Sequence, residues 1–205
     1  MSTTTTSVSS TPGSTPPLFG DGHGKYRILL LGNSGKRSTT GRELAAILGV
    51  PSIGARAGRA PSPEELKAKV GATLGEAGGS WVADGDYRTK LGNFVLDKTT
   101  DVVWLDPPLA LYFPRILLRT ILRLLRIEAP CSPGCPERFS EVLFSKDSIL
   151  WWCLTHHRSN RERNQERMAE IGIGCGTRRR MRRLGGWGEE RRVWLESVKE
   201  LAKGE

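Results

Sequence analysis

The stretch RILLLGNSGKRSTTGRELAAILG, from Arg27 to Gly49, holds the residues whose types and order could do chemistry. An apolar run leads into a turn with Gly32 and Gly35, then Lys36, Arg37, Ser38 and Thr39, then a helical pattern. Backbone N–H groups that curl around an anion at a helix N-terminus bind phosphate, and the helix dipole adds to the attraction. Glycine lets the main chain come close, a lysine neutralises the outer phosphates, and the next Ser or Thr hydroxyl ligates Mg2+. Gly32, Gly35, Lys36, Ser38 and Thr39 supply these types, so Gly32, Asn33, Ser34, Gly35, Lys36, Arg37, Ser38 and Thr39 are the expected phosphate cradle, with Ser38 on Mg2+. The spacing departs from G-x-x-x-x-G-K-[ST], because Arg37 intervenes between Lys36 and Ser38. Either Lys36 or Arg37 is left to reach the phosphates. Arginine brings a planar fork, bulkier than an ammonium, and is not a neutral exchange.

Such residues need elements to hold them. Tyr26 to Leu31 has the pattern of a strand buried on both faces. GRELAAILG places Leu44, Ile47 and Leu48 on one helical stripe, stopped by Gly49-Val50-Pro51. SIGARAGRAP, residues 52–61, has no regular pattern and is expected to be unstructured. SPEELKAKVGATLGEAGG predicts a helix opened by Ser62, Pro63 and Glu65 and closed by Gly78-Gly79. WVADGDYR is a short strand that places Asp84 and Arg88 at its carboxyl end, where α/β folds bind ligands. TTDVVWLDPP is a second strand, ending on Asp106.

LALYFPRILLRTILRLLRIE predicts a helix with Arg115, Arg119 and Arg123 on one face, its Leu and Ile residues against the sheet, and a kink at Pro114. FSEVLFSKDSILWWCLTHHRSNRERNQERMAEIG is one long helix or two abutting ones. A last strand is expected at Met181–Leu184 and a terminal helix from about Glu189. Strands alternating with helices imply an α/β fold, a three-layer doubly wound parallel sheet.

A chain of 205 residues suits one domain, here 25–205. The preceding residues 1–24 carry no Arg or Lys and are expected to form a disordered tail rather than a targeting sequence. The net charge of +9 favours anionic partners: phosphorylated ligands or nucleic acid. Four cysteines are too few for a disulfide scaffold, so a reducing, cytoplasmic setting is expected. No apolar run reaches the roughly 18 residues of a membrane span.

The first stretch resembles the G-N-S-G-S-G-K-S-T loop of adenylate-kinase-like P-loop proteins, in particular the small family labelled DNA topology modulation protein. WVADGDYR is similar to that family's W-V-x-D-G-N-Y segment and to the D-G-F-P-R of adenylate kinases. DVVWLDPP resembles their strand ending in Asp-x-Pro, and FSKDSILWWCLTHHR their S-R-D-S-I-L-W-W-x-x-x-x-H-R helix. These segments are collinear over roughly residues 26 to 160, with two departures. The loop is one residue short, and the acidic, Trp-containing segment of the family is replaced after Pro51.

The resemblance implies a P-loop kinase-like fold with a lid-like helical region over about 126–172. It also implies a phosphotransferase that uses ATP and Mg2+ on a nucleotide or other small acceptor. Under it, Lys36 or Arg37 neutralises the donor phosphates and Asp84 and Arg88 bind the acceptor. Arg119 and Arg123 stabilise the transferring charge, and Arg158 resembles a lid arginine. Asp106 either holds Mg2+ through water or caps the next helix. His156 and His157 either serve the lid or favour a helix end. Cys131 and Cys135 fall where some adenylate kinases bind zinc, yet no second pair completes four ligands. The arginines from Arg178 to Arg183 either contact nucleic acid or form a solvated edge. The rival readings are a non-catalytic descendant and a basic nucleic-acid-associated protein.

Overall fold

The computed structural model describes residues 15–32, 37–54, 79–85, 91–125, 149–174 and 180–204, with residues 64, 67, 68, 71, 72 and 75. Five strands, β1 (Arg27–Gly32), β2 (Ser52–Gly54), β3 (Trp81–Asp84), β4 (Asp101–Leu105) and β5 (Met181–Leu184), form one parallel sheet in the order β2-β3-β1-β4-β5. The helices are α1 (Arg37–Leu48), α2 (Leu109–Leu124), α3 (Ile149–Ile171) and α4 (Glu189–Lys203). None is long and apolar enough to cross a membrane among the described residues.

The unbroken apolar run of β1 has its cause in this layering. Ile28 and Leu30 face α1 and α4, packing with Leu44, Trp194, Leu195 and Val198. Leu29 and Leu31 face the opposite layer, packing with Trp81, Trp104, Met181 and Ile171 of α3. The sheet is therefore covered on both faces, as the fold class expected from sequence requires.

Three expectations need correction. Residues 52–54 are not unstructured: they pair with β3 from Ser52↔Val82 to Gly54↔Asp84, and Ile53 is buried. A three-residue edge strand is too short to show periodicity. Second, α2 does not lay its apolar side on the sheet. Tyr112 and Ile116 pack on Cys153 of α3, while Leu118, Ile121 and Leu125 stay exposed. Pro114 lies within α2, which continues through Leu124. Third, residues 17–20 are not part of a disordered tail. Leu18 is buried in the core, Phe19 and Gly20 donate their amides to Asp101 at 2.7 and 2.9 Å, and Trp194 Nε1 donates to Pro17 O at 2.9 Å. Nothing local announces this docking, because its partners lie across the sheet.

Burial pushes the Asp101 carboxyl above its ordinary range, against the opposing pull of the Phe19 amide, the Thr100 hydroxyl, the Gly20 amide and Arg182. A raised folded-state pKa means the native state binds this proton more tightly than the unfolded chain. The contribution therefore favours folding at acid pH and is lost as pH rises through the folded value. A carbon-13 NMR titration should place Asp101 above ordinary carboxylates. A midpoint at or below them would show that the two amides outweigh desolvation.

The capping-box residues Ser62, Pro63 and Glu65 lie outside the described residues, although Glu64, Lys67, Ala68, Gly71, Ala72 and Gly75 are helical.

Candidate functional site

The carboxyl edge of the sheet gathers most of the described candidate residues. β1 ends on Gly32, whose φ is 140°, and a Cβ there would stand 2.4 Å from the Leu105 carbonyl oxygen of β4. Only glycine fits this close approach between strands. α1 opens at Arg37 and has no acidic residue in its first turn, so no side-chain carboxylate there competes for its N-terminal dipole. Gly41 lets α1 lie close to the sheet: a Cβ there would be 3.1 Å from Leu30 Cδ1 and 3.7 Å from Asp84 Cβ. Asp84, 6% exposed, thus stands under the second turn of α1, on the face that α1 covers. Thr39 is exposed. Thr40 is fully buried, and its Oγ1 has no hydrogen-bond partner among the described residues.

Asn33, Ser34, Gly35, Lys36 and Arg88 lie outside the described residues, as do the side chains of Arg37, Ser38 and Arg123. Cys131 and Cys135 lie outside as well.

Asp106 follows β4 at the same edge but on the α3 face. Its Oδ2 accepts Arg161 Nε at 3.1 Å, Arg183 Nε at 2.9 Å and Arg183 Nη2 at 2.6 Å. The Asp106 side chain is 4% exposed, against 44% for Arg161 and 40% for Arg183. This arrangement argues against the metal role expected for Asp106, since the oxygen already faces two cations that would repel a third. It does not cap α2 either, which begins at Leu109. Arg161 and Arg183 are residues that sequence reasoning missed. Arg183 lies within a basic run, and Arg161 belongs to no motif.

Other candidates have neighbours of their own. Arg158 pairs with Glu162 on its own helix at 2.9 Å and is 90% exposed. Arg119 stands on the order of 15 Å along α2 from its first residue. It lies near Cys153, whose thiol is pushed up by burial and pulled down by the Arg119 charge. The histidines do not mark a helix end, because α3 runs on to Ile171. His157 Nδ1 instead meets the Tyr112 hydroxyl at 2.8 Å.

The arginine run is divided among separate partners. Arg180 donates to the Leu96 and Thr99 carbonyls, Arg182 to Pro16 O, and Arg183 to Asp106. Alternation along β5 sends Arg182 and Arg183 to opposite faces, so no continuous phosphate-binding stripe forms from these three. Beyond β5, Trp187 is 70% exposed and presents an open aromatic face next to the start of α4.

No family model matches the chain, and no curated protein matches it. Among solved structures it is similar to a shikimate kinase from Bacteroides thetaiotaomicron, at 16% identity and a TM-score of 0.40, covering 87% of this chain and 96% of that one. It is also similar to a gluconokinase from Sinorhizobium meliloti 1021, at 18% identity and a TM-score of 0.40, covering 87% of this chain and 94% of that one.

Proposed function

We propose that the chain is a P-loop phosphotransferase of the adenylate-kinase type, moving the γ-phosphoryl group of Mg-ATP to a nucleotide or other small acceptor. The observation that carries this reading is the junction of β1 and α1. A glycine pressed onto the neighbouring strand leads, through Asn33–Lys36, into a helix with no acidic residue in its first turn and a buried aspartate beneath it. Those are the parts of a polyphosphate cup at a helix N-terminus.

The residues fit the implied metal. Mg2+ needs only one or two protein oxygens, with phosphates and water supplying the rest. Ser38, in the first turn of α1, and Asp84, buried beneath the second turn, would hold it. Bound there, the metal neutralises charge on the phosphates during transfer. Lys36 or Arg37 adds a second positive charge, and Arg88 is assigned to the acceptor. One observation favours a second reading, a nucleotide binder without turnover: the loop is one residue short of the kinase pattern.

Calorimetric titration of Mg-ATP, with a coupled assay for ADP release, tests both. Lys36→Ala or Arg37→Ala should weaken binding by about tenfold or more, the cost of a charge-assisted phosphate contact. If neither does, the loop assignment fails. Binding without ADP release across a panel of nucleoside monophosphates selects the non-catalytic descendant.

A further inference from the structure

The cluster Arg161–Asp106–Arg183 is built as a holder of cations rather than as a simple ion pair. One buried carboxylate oxygen takes three N–H groups from two arginines that come from different elements, α3 and β5. The Arg183 guanidinium also lies 5.1 Å from the Trp104 ring centroid, so it is fixed between an aromatic face and a carboxylate. One negative charge against two positive ones leaves a formal surplus of +1 at the cluster. Both guanidiniums remain partly exposed. Among the described residues, Nη1 and Nη2 of Arg161 and Nη1 of Arg183 have no protein partner. Glu190, whose Oε2 accepts the Gly185 amide at 2.6 Å, forms no ion pair with either arginine among the described residues.

We infer that Arg161 and Arg183 form an oxyanion clamp for a phosphate group, with Asp106 as the positioning residue that holds both. Several features support this. A guanidinium presents N–H donors in a rigid plane that matches phosphate oxygens. Two such planes fixed in advance lose little conformational freedom on binding. The clamp stands at the carboxyl edge of β4 and β5, and β4 pairs Leu105 with Gly32, the first residue of the proposed cup. A phosphate held here belongs to the acceptor rather than to the donor, because Asp106 and α3 lie on the face opposite α1. That last assignment rests on the phosphotransferase reading; phosphate binding at the two arginines does not.

The test is calorimetric titration of inorganic phosphate into the full chain at low ionic strength, with Arg161→Gln, Arg183→Gln, Lys36→Ala and Arg163→Gln. Arg163 is two positions from Arg161 and exposed, bonding only within its own helix, so its change removes the same charge outside the clamp. Each clamp substitution should weaken phosphate binding by about tenfold, the loss of one charge-assisted contact, while Arg163→Gln leaves it unaltered. Equal losses in all three arginine variants would mean a general charge effect and overturn the clamp. Loss only in Lys36→Ala would place phosphate in the β1–α1 cup, sinking the clamp while leaving the kinase reading intact. Loss only in the clamp variants would support the clamp whether or not ATP binds. Should a variant fail to fold, nitrogen-15 NMR of the native protein decides. Phosphate should shift the Nε–H resonances of two ion-paired arginines, and their invariance would refute the proposal.

Discussion

Gly32→Ala should cost about 3 kcal/mol of stability and abolish tight Mg-ATP binding. The new methyl would meet the Leu105 carbonyl oxygen at 2.4 Å, and the backbone there holds a φ of 140° that side-chain-bearing residues rarely adopt. Strain of this kind costs about 1–3 kcal/mol, and forcing atoms into a packed strand pair costs a similar amount. The expected drop in melting temperature is about 10 °C for a chain of this size. Gly49→Ala is the internal control. Its φ is also positive, at 64°, but a Cβ there meets nothing within 4 Å, so only the smaller conformational cost of about 1 kcal/mol applies. Equal effects at the two positions would mean that the contact between β1 and β4 is not what selects glycine at Gly32.

The second large effect is expected at Asp106. Its removal as Asp106→Ala leaves Arg161 and Arg183 facing each other without their shared counter-charge. Breaking a fully buried pair costs about 3–5 kcal/mol, but here both arginines are near 40% exposed and can turn to water, so about 2 kcal/mol is expected. Chemical denaturation would measure it, and combining the change with Arg183→Met should recover part of the loss, since the two sites are coupled. The same variant separates the two aspartates chemically. Mg2+ should still strengthen ATP binding to Asp106→Ala, whereas Asp84→Asn should remove that dependence. The reverse pattern would return the metal to Asp106 and remove it from Asp84.

Gly32 shows where sequence reasoning succeeds, and Asp106 shows where it stops. Gly32 is legible because its constraint is local: an apolar run meets glycine just before a helix start, and the turn geometry follows from adjacent residues. For the same reason β1, α1, β3, β4, β5 and α4 are legible in the sequence, each from apolar periodicity or from a glycine or proline boundary within a few positions. The parallel three-layer arrangement followed from their alternation.

What the tertiary structure decided is everything that spans the chain. Asp106 could be read locally as a metal ligand or a cap, yet its partners are 55 and 77 residues away, on α3 and β5. Asp101 gathers the amides of Phe19 and Gly20 from 82 and 81 residues away, turning an apparent tail into part of the core. The arginines of β5 look like one basic run until the pleat sends neighbours to opposite faces. A charged side chain carries no periodic signal of the carboxylate it will meet, because that choice is set by which strands become neighbours. Local propensity and burial pattern therefore specified the elements and the glycine turn, while strand order specified which charges are paired and which are left for a ligand.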